Sequence, residues 1–168
     1  MLFRIVAAVL FSTAGGIAGL SFSERLKNEL ELCRNIREML MSSAMLIRCR
    51  AVDVYALSSE LRQNRQLFRL TFLNEIPESY NQNDDFHEIW RNAVNSQKNL
   101  PYDEKKLLCD FGEILGRSDI DGQLVAIDAL EETAVILEKK RSETYFRKGK
   151  LYRSVGMLFG VMVGILVI

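Results

Sequence analysis

The triplet Asp110-Phe111-Gly112 is the first candidate for chemistry, because the same three residue types bind magnesium in protein kinases. A kinase also needs an upstream His-Arg-Asp loop, a lysine on a strand and a far longer chain. None of these features is present in the 168 residues. We therefore predict that the triplet lies within a helix, with Phe111 buried and Gly112 allowing a neighbour to approach closely.

A second candidate for chemistry, a few residues further on, has a sequence similar to part of a calcium-binding loop. Asp119, Asp121 and Gly122 supply the acidic residues and the glycine of such a loop. With Gly122 at the sixth position, the first ligand is Arg117 and the twelfth is Asp128. Arg117 is a cation, and aspartate is shorter than the bidentate glutamate normally found at the twelfth position. The sequence therefore predicts no calcium site here.

A tight corner between two helices explains the same stretch better. Gly116 can adopt the left-handed conformation that ends a helix. Ser118, Asp119 or Asp121 can accept hydrogen bonds from the free N–H groups of the next helix. The residues that we assign to this structural turn and candidate interface are Gly112, Gly116, Ser118, Asp119 and Gln123.

His87 is the single histidine of the chain, which limits acid–base chemistry. Asp84, His87 and Glu88 share a helical face, so a metal site is imaginable. Acidic residues in a first helical turn, where they suit the helix dipole, are the commoner explanation. We see no nucleophile–base pair and no glycine-rich phosphate loop. The sequence therefore predicts no catalytic residue, no cofactor, no metal and no small-molecule substrate.

The composition allows a packed core, with 48% hydrophobic and 26% charged residues. Basic and acidic residues both number 22, which argues against a general nucleic-acid binder. The charge is uneven, however: residues 75–138 carry fifteen acidic and five basic residues, whereas residues 139–153 carry seven basic and one acidic. Cys33, Cys49 and Cys109 lie far apart, which is typical of reduced thiols in a cytosolic setting.

Both ends of the sequence are apolar enough to suggest membrane helices. Residues 5–23 and residues 154–168 carry no charged side chain. Fifteen helical residues span roughly 22 Å, and a bilayer core is about 30 Å thick. Starting at Leu151 and letting Arg153 reach toward the surface gives a short but workable span. We predict two transmembrane segments around a helical domain, with bounds 1–23, 24–150 and 151–168.

Glycines repeat every four positions in both apolar ends. Close backbone approach at small residues favours helix association in lipid. The alternative is that these glycines are merely permissive in apolar helices. The glycines expected to pack are Gly15, Gly19, Gly156, Gly160 and Gly164.

Basic residues set the expected orientation. By the positive-inside rule, the middle of the chain lies in the cytoplasm because of Arg147, Lys148, Lys150 and Arg153. The first segment indicates the orientation only weakly, because Arg4 lies on one side of it and Arg25 and Lys27 on the other. The rival interpretation is a signal peptide cleaved near Ala18 or Gly19. Three free cysteines suit an exported domain poorly.

The middle of the chain is predicted to be all-α, an antiparallel bundle of about six helices. Only Pro77 and Pro101 interrupt residues 24–153, and no strand-like alternation persists. Apolar residues recur three or four positions apart, the helical period. The helical period of Val54, Leu57 and Leu61 is expected to continue through the leucines at 67, 70 and 73 to Asn74. The last helix is expected to continue into the second apolar segment.

The stretches FGEILGRSDIDGQ and KGKLYRSVGMLFGVMVGILVI resemble the stage III sporulation protein AB family of endospore-forming bacteria. The DFHEIW helix and LPYDEKKLLCDFG add to a resemblance that covers nearly the whole chain. This family is similar to the cytoplasmic domain of the platform proteins of type II secretion and type IV pilus machines. The resemblance implies an all-α, six-helix domain at the mother-cell membrane.

The resemblance also implies a function. It indicates a non-enzymatic, membrane-anchored assembly subunit of the channel that links mother cell and forespore. Its expected partners are membrane channel subunits and a secretion-type cytoplasmic ATPase, with no nucleic acid. The expected location is the cell membrane, with the soluble domain on the cytoplasmic, mother-cell side. The alternative is an accessory regulatory or sensor subunit of another membrane complex.

Overall fold

The chain is helical throughout the part that can be described. The computed structural model describes the backbone of residues 2–81 and 84–167, with side chains mainly between Leu20 and Gly149. No strand occurs among these residues, which confirms the all-α prediction. Two short 3₁₀ helices, Arg65–Leu67 and Thr71–Glu75, accompany five α-helices: α1 (Leu2–Arg50), α2 (Val54–Gln63), α3 (Phe86–Ser96), α4 (Tyr102–Ile114) and α5 (Ile120–Val167).

The prediction of about six bundle helices was wrong: the described residues form five α-helices, and the helical period expected to reach Asn74 ends at Gln63. Leu67, Leu70 and Leu73 are all buried, but they are spaced by three residues. Leu67 lies in the first 3₁₀ helix and Leu73 in the second, and hydrogen bonds from the N–H of Leu70 to Leu67 and from that of Leu73 to Leu70 follow the three-residue turn of such helices. The side chain of Asn64 accepts a hydrogen bond from the N–H of Gln66 at 2.9 Å and so starts the first 3₁₀ helix.

The chain divides into two compact units, one formed by residues 32–138 and the other by residues 1–31 with 139–168. We call them the central unit and the terminal unit, and each is described by itself. The predicted division into two terminal segments and a central domain stays a prediction. Across the part of the chain that the structure describes, no helix is long and apolar enough to cross a membrane.

The core of the central unit is built around Trp90, which is fully buried. Its ring meets those of Phe72 and Phe111 at centroid distances of 5.1 and 5.4 Å in edge-on geometry. The indole Nε1 donates a hydrogen bond to the carbonyl of Leu108 at 2.8 Å, so the one polar atom of the ring is satisfied. Buried side chains on α3 and α4 recur three or four positions apart, the spacing that predicted helices in the middle of the chain.

Aspartates begin two helices of the central unit. The carboxylate of Asp53 accepts hydrogen bonds from the N–H groups of Tyr55 and Ala56 at 2.8 and 2.9 Å and so caps α2. Asp85 accepts one from the N–H of His87 at 2.9 Å at the start of α3. Both carboxylates satisfy amide groups that the first helical turn leaves free.

Ion pairs join α1 and α5 along the central unit. Arg34 pairs with Glu138 at 3.2 Å. Arg37 reaches Glu138 at 3.3 Å and Glu131 at 3.7 Å. Higher numbers on α1 meet lower numbers on α5, so the two helices run antiparallel here. Arg37 thus lies at the edge of the core, with acidic partners on α5.

Candidate functional site

The corner between α4 and α5 is closed by one amide side chain. Gly116 has a φ of 71°, the left-handed conformation expected of a glycine that ends a helix. Its N–H donates to Oε1 of Gln123 at 3.0 Å. Nε2 of Gln123 in turn donates to the carbonyl of Ser118 at 2.9 Å. Gln123 therefore connects the end of α4 to the loop that precedes α5.

Asp119 is the residue that starts α5, among the three that the sequence left open. Its Oδ1 accepts a hydrogen bond from the N–H of Gly122 at 3.0 Å. Its carbonyl accepts one from the N–H of Gln123, also at 3.0 Å. A Cβ on Gly122 would lie 2.8 Å from Oδ1 of Asp119, so glycine leaves room for the cap. The stretch that is spelled like a calcium loop thus forms a helix start.

The kinase-like triplet lies inside α4, as predicted. Asp110 is exposed and Phe111 is fully buried. A Cβ on Gly112 would overlap Cδ1 of Trp90 and lie 2.6 Å from its Nε1. Gly112 is therefore the point at which α4 lets Trp90 of α3 approach its backbone.

Polar side chains of α3 contact the end of α4. Nδ1 of His87 lies 2.8 Å from the carbonyl of Gly112, and because a carbonyl only accepts, Nδ1 carries the hydrogen. Glu113 pairs with Arg91 and, at 2.6 Å, with Arg117. The hydrogen bond from Arg91 is the main cause that lowers the pKa of Glu113 below its ordinary value. The histidine that could have been a metal ligand is engaged by the backbone of α4.

A buried acid in α4 escaped the sequence reasoning. Glu104 has no exposed surface, and its Oε1 accepts a hydrogen bond from Sγ of Cys33 at 3.1 Å. The helical period carried a signal, because Glu104 lies four and seven residues before the buried Leu108 and Phe111. Cys33 is a buried free thiol. Cys109 is partly buried, and this burial raises the pKa of its thiol.

The terminal unit carries the predicted juxtamembrane bases. Arg147 and Lys148 are exposed on α5. Arg141 instead pairs with Glu29 of α1 at 3.0 Å, and both side chains are 19% exposed. The side chains of Lys150 and Arg153 lie outside the described residues.

In the terminal unit, α1 and α5 approach each other closely at Gly149, which was not among the glycines predicted to pack. Ser23 is 1% exposed, and a Cβ on Gly149 would lie 3.4 Å from its Oγ. Small residues at this level let α1 and α5 pack closely. The packing predicted for Gly15, Gly19, Gly156, Gly160 and Gly164 lies outside the described side chains and stays a prediction.

Comparison with known proteins assigns the chain to a family. The family model described as stage III sporulation protein AB matches residues 4–168. No curated protein and no solved structure matches the chain. The match includes both apolar ends and the α4–α5 corner, whose residues carried the resemblance. The chain therefore belongs to the stage III sporulation protein AB family.

Proposed function

We propose that this protein is a non-enzymatic, membrane-anchored platform subunit of the channel that joins mother cell and forespore. The observation that carries the proposal is the family match over residues 4–168, which makes this a protein of sporulation stage III. The resemblance of the family to platform proteins of secretion machines supplies the docking role. The partners are membrane channel subunits and a secretion-type cytoplasmic ATPase.

Anchoring is proposed from the sequence of the two ends. Residues 5–23 and 154–168 are free of charge, and basic residues precede the second stretch. Arginine and lysine are retained on the cytoplasmic side of membrane segments. The central unit thus faces the cytoplasm of the mother cell, where an ATPase can reach it.

The way in which the central unit uses its polar groups supports a platform. Asp53, Asp85 and Asp119 begin helices, and Gln123 closes a corner. Glu113 joins α3 to α4 through its arginine partners. Side chains held in caps and ion pairs stabilise one arrangement of helices, which is what a docking surface requires.

Two exposed apolar side chains on one face of α5 offer a place for a protein partner. Val125 and Ile136 are 71% and 69% exposed. They are eleven residues apart, which is about three helical turns, so they share a face. The sequence around them, residues 75–138, carries fifteen acidic and five basic residues. The exposed carboxylates of Asp128 and Glu132 lie between them on the same face, so this face combines apolar and acidic side chains and fits a partner with apolar and basic ones.

Affinity capture of the full chain from detergent-solubilised membranes of sporulating cells tests the proposal. The wild-type chain is expected to retain channel subunits and the ATPase. Ile136→Asp should lose the channel subunits and the ATPase, because a charge that replaces an apolar contact is desolvated on binding. The control Asn92→Asp adds the same charge at an exposed position on α3 and should retain them.

Two results would contradict the proposal. Capture of a single receptor-like protein in place of channel subunits would favour an accessory regulator. Equal capture by Ile136→Asp and the wild-type chain would show that the face of α5 with Val125 and Ile136 is not part of the interface.

A further inference from the structure

We propose that the basic segment of α5, residues 139–153, binds the headgroups of anionic phospholipids. This inference rests on the proposed function in one respect, since it requires the terminal unit to lie at a membrane. It adds a ligand of defined chemistry to a segment whose bases otherwise serve only to orient the chain.

The charge of the segment selects for an anionic partner. Residues 139–153 carry seven basic residues and one acidic residue. Each lysine or arginine near an anionic bilayer surface strengthens association by about fivefold. The preceding residues 75–138 have the opposite balance, so the basic charge is confined to the part of the sequence next to the apolar end.

Not every base in the segment is free to bind a ligand. Arg141 is committed to Glu29 at 3.0 Å. Arg147 and Lys148 are exposed, and no ion pair to either is found in the described part of the chain. These two adjacent cations are therefore the ones that we assign to headgroup phosphates.

An exposed aromatic ring beside these cations favours a lipid surface over an acidic protein. Phe146 is 60% exposed, and its ring centroid lies 5.4 Å from that of Tyr145. Segments that lie in a bilayer interface combine basic side chains, which meet phosphates, with aromatic rings at the headgroup–acyl boundary. The ring that is left in water here would be buried at that boundary.

The distance to the apolar end also fits a bilayer ligand. Ser154, the first residue of the uncharged stretch, lies seven positions after Arg147. Along a helix this is about 10 Å. The Debye length at physiological ionic strength is about 8 Å. The distance exceeds the Debye length only slightly, so the cations would experience a weakened surface potential when the apolar stretch is in the membrane.

Native mass spectrometry of the full chain in neutral detergent tests the assignment, with phosphatidylglycerol and phosphatidylcholine as probes. Phosphatidylglycerol should bind at least tenfold more tightly. Arg147→Gln/Lys148→Gln should lose about 30-fold of that affinity, at about fivefold per base. Lys98→Gln/Lys106→Gln removes the same charge from exposed positions of the central unit and should leave binding unchanged.

Equal affinity for the two lipids, or an equal loss in the control variant, would overturn the inference. Competition by sodium phosphate that exceeds competition by chloride at equal ionic strength would also overturn it, in favour of a free-phosphate site. Flotation with vesicles of phosphatidylcholine alone separates this test from that of the proposed function. A chain that floats but shows no anionic preference contradicts only the headgroup site, whereas a chain that does not float contradicts the anchor.

Discussion

The two units of the chain use their charged residues in opposite ways. In the central unit, Asp119 begins a helix and Glu113 holds two arginines at the end of α4. In the terminal unit, Arg147 and Lys148 project from α5 as exposed cations. Charges of the first kind fix the positions of helices, and charges of the second kind remain available to a surface. In the proposed platform, the central unit provides shape and the terminal unit provides attachment.

The largest effect is expected when a methyl group enters the core of the central unit. Gly112→Ala places a Cβ against Cδ1 of Trp90, closer than van der Waals contact, and this buried ring cannot move without breaking its hydrogen bond to Leu108. Such overpacking should lower the free energy of unfolding by about 2–3 kcal/mol. Urea unfolding in detergent, followed by the fluorescence of the single tryptophan, measures it.

A matched variant two positions earlier separates the steric effect from helix propensity. Asp110→Ala changes an exposed side chain of the same helix and should shift stability by less than about 0.5 kcal/mol. If Gly112→Ala is as stable as the wild-type chain, Trp90 does not approach α4 at this glycine.

A smaller effect is expected at the helix ends of the central unit. Gly116→Ala forces a φ of 71° on a residue with a Cβ, 3.2 Å from Cγ1 of Val54, and should cost about 1 kcal/mol. Ala51 already adopts a φ of 46° after α1, so Ala51→Gly should stabilise by roughly 0.5 kcal/mol. Urea midpoints of both variants are the measurement, and shifts of the same sign would contradict the assignment of left-handed backbone.

The pH dependence of stability should reveal the ion pairs of Glu113. The hydrogen bond from Arg91 holds the pKa of this carboxyl below its ordinary value, so the pairs stabilise the fold above that ordinary value. The contribution is lost as the pH falls through the lowered pKa. Glu113→Gln should therefore flatten the loss of stability between about pH 5 and pH 3. An acid limb of unchanged steepness would show that the pairs do not stabilise the central unit.

The smallest effect on the tryptophan signal is expected from the terminal unit. Gly160→Leu should leave membrane insertion and the unfolding of Trp90 unchanged, because leucine is more apolar than glycine. It should weaken packing between the apolar ends, since close approach requires small residues. Crosslinking of Ser23→Cys with Gly149→Cys and spore counts measure this, with Val161→Leu as the control. Normal sporulation and crosslinking in Gly160→Leu would make the glycine repeat merely permissive.

Local chemistry was predictable from the sequence where neighbouring residues determine the structure. Gly116, Asp119 and Gln123 lie within eight residues, and their roles in ending, starting and bridging helices follow from residue type. One face of α3 and one face of α4 are buried, as the three- and four-residue spacing of apolar residues predicted. The predicted turn of helix at Leu67–Leu73 failed because a spacing of three suits a 3₁₀ helix equally well.

Contacts between distant residues could not be predicted in the same way. Cys33 and Glu104 are 71 positions apart, and nothing in either local sequence indicates that the thiol meets the carboxylate. The approach of Trp90 to Gly112 was expected only as an unnamed neighbour. Ser23 and Gly149 meet because two long helices run side by side, which the sequence of each helix alone does not encode.

Alkaline carbonate extraction of membranes from sporulating cells tests most directly whether the terminal unit attaches the central unit to a membrane. Carbonate removes proteins held by charge alone and leaves those whose helices lie within the bilayer. The full chain is predicted to stay in the membrane pellet at high pH and to enter the supernatant only with detergent. Its release by carbonate without detergent would contradict an anchored platform.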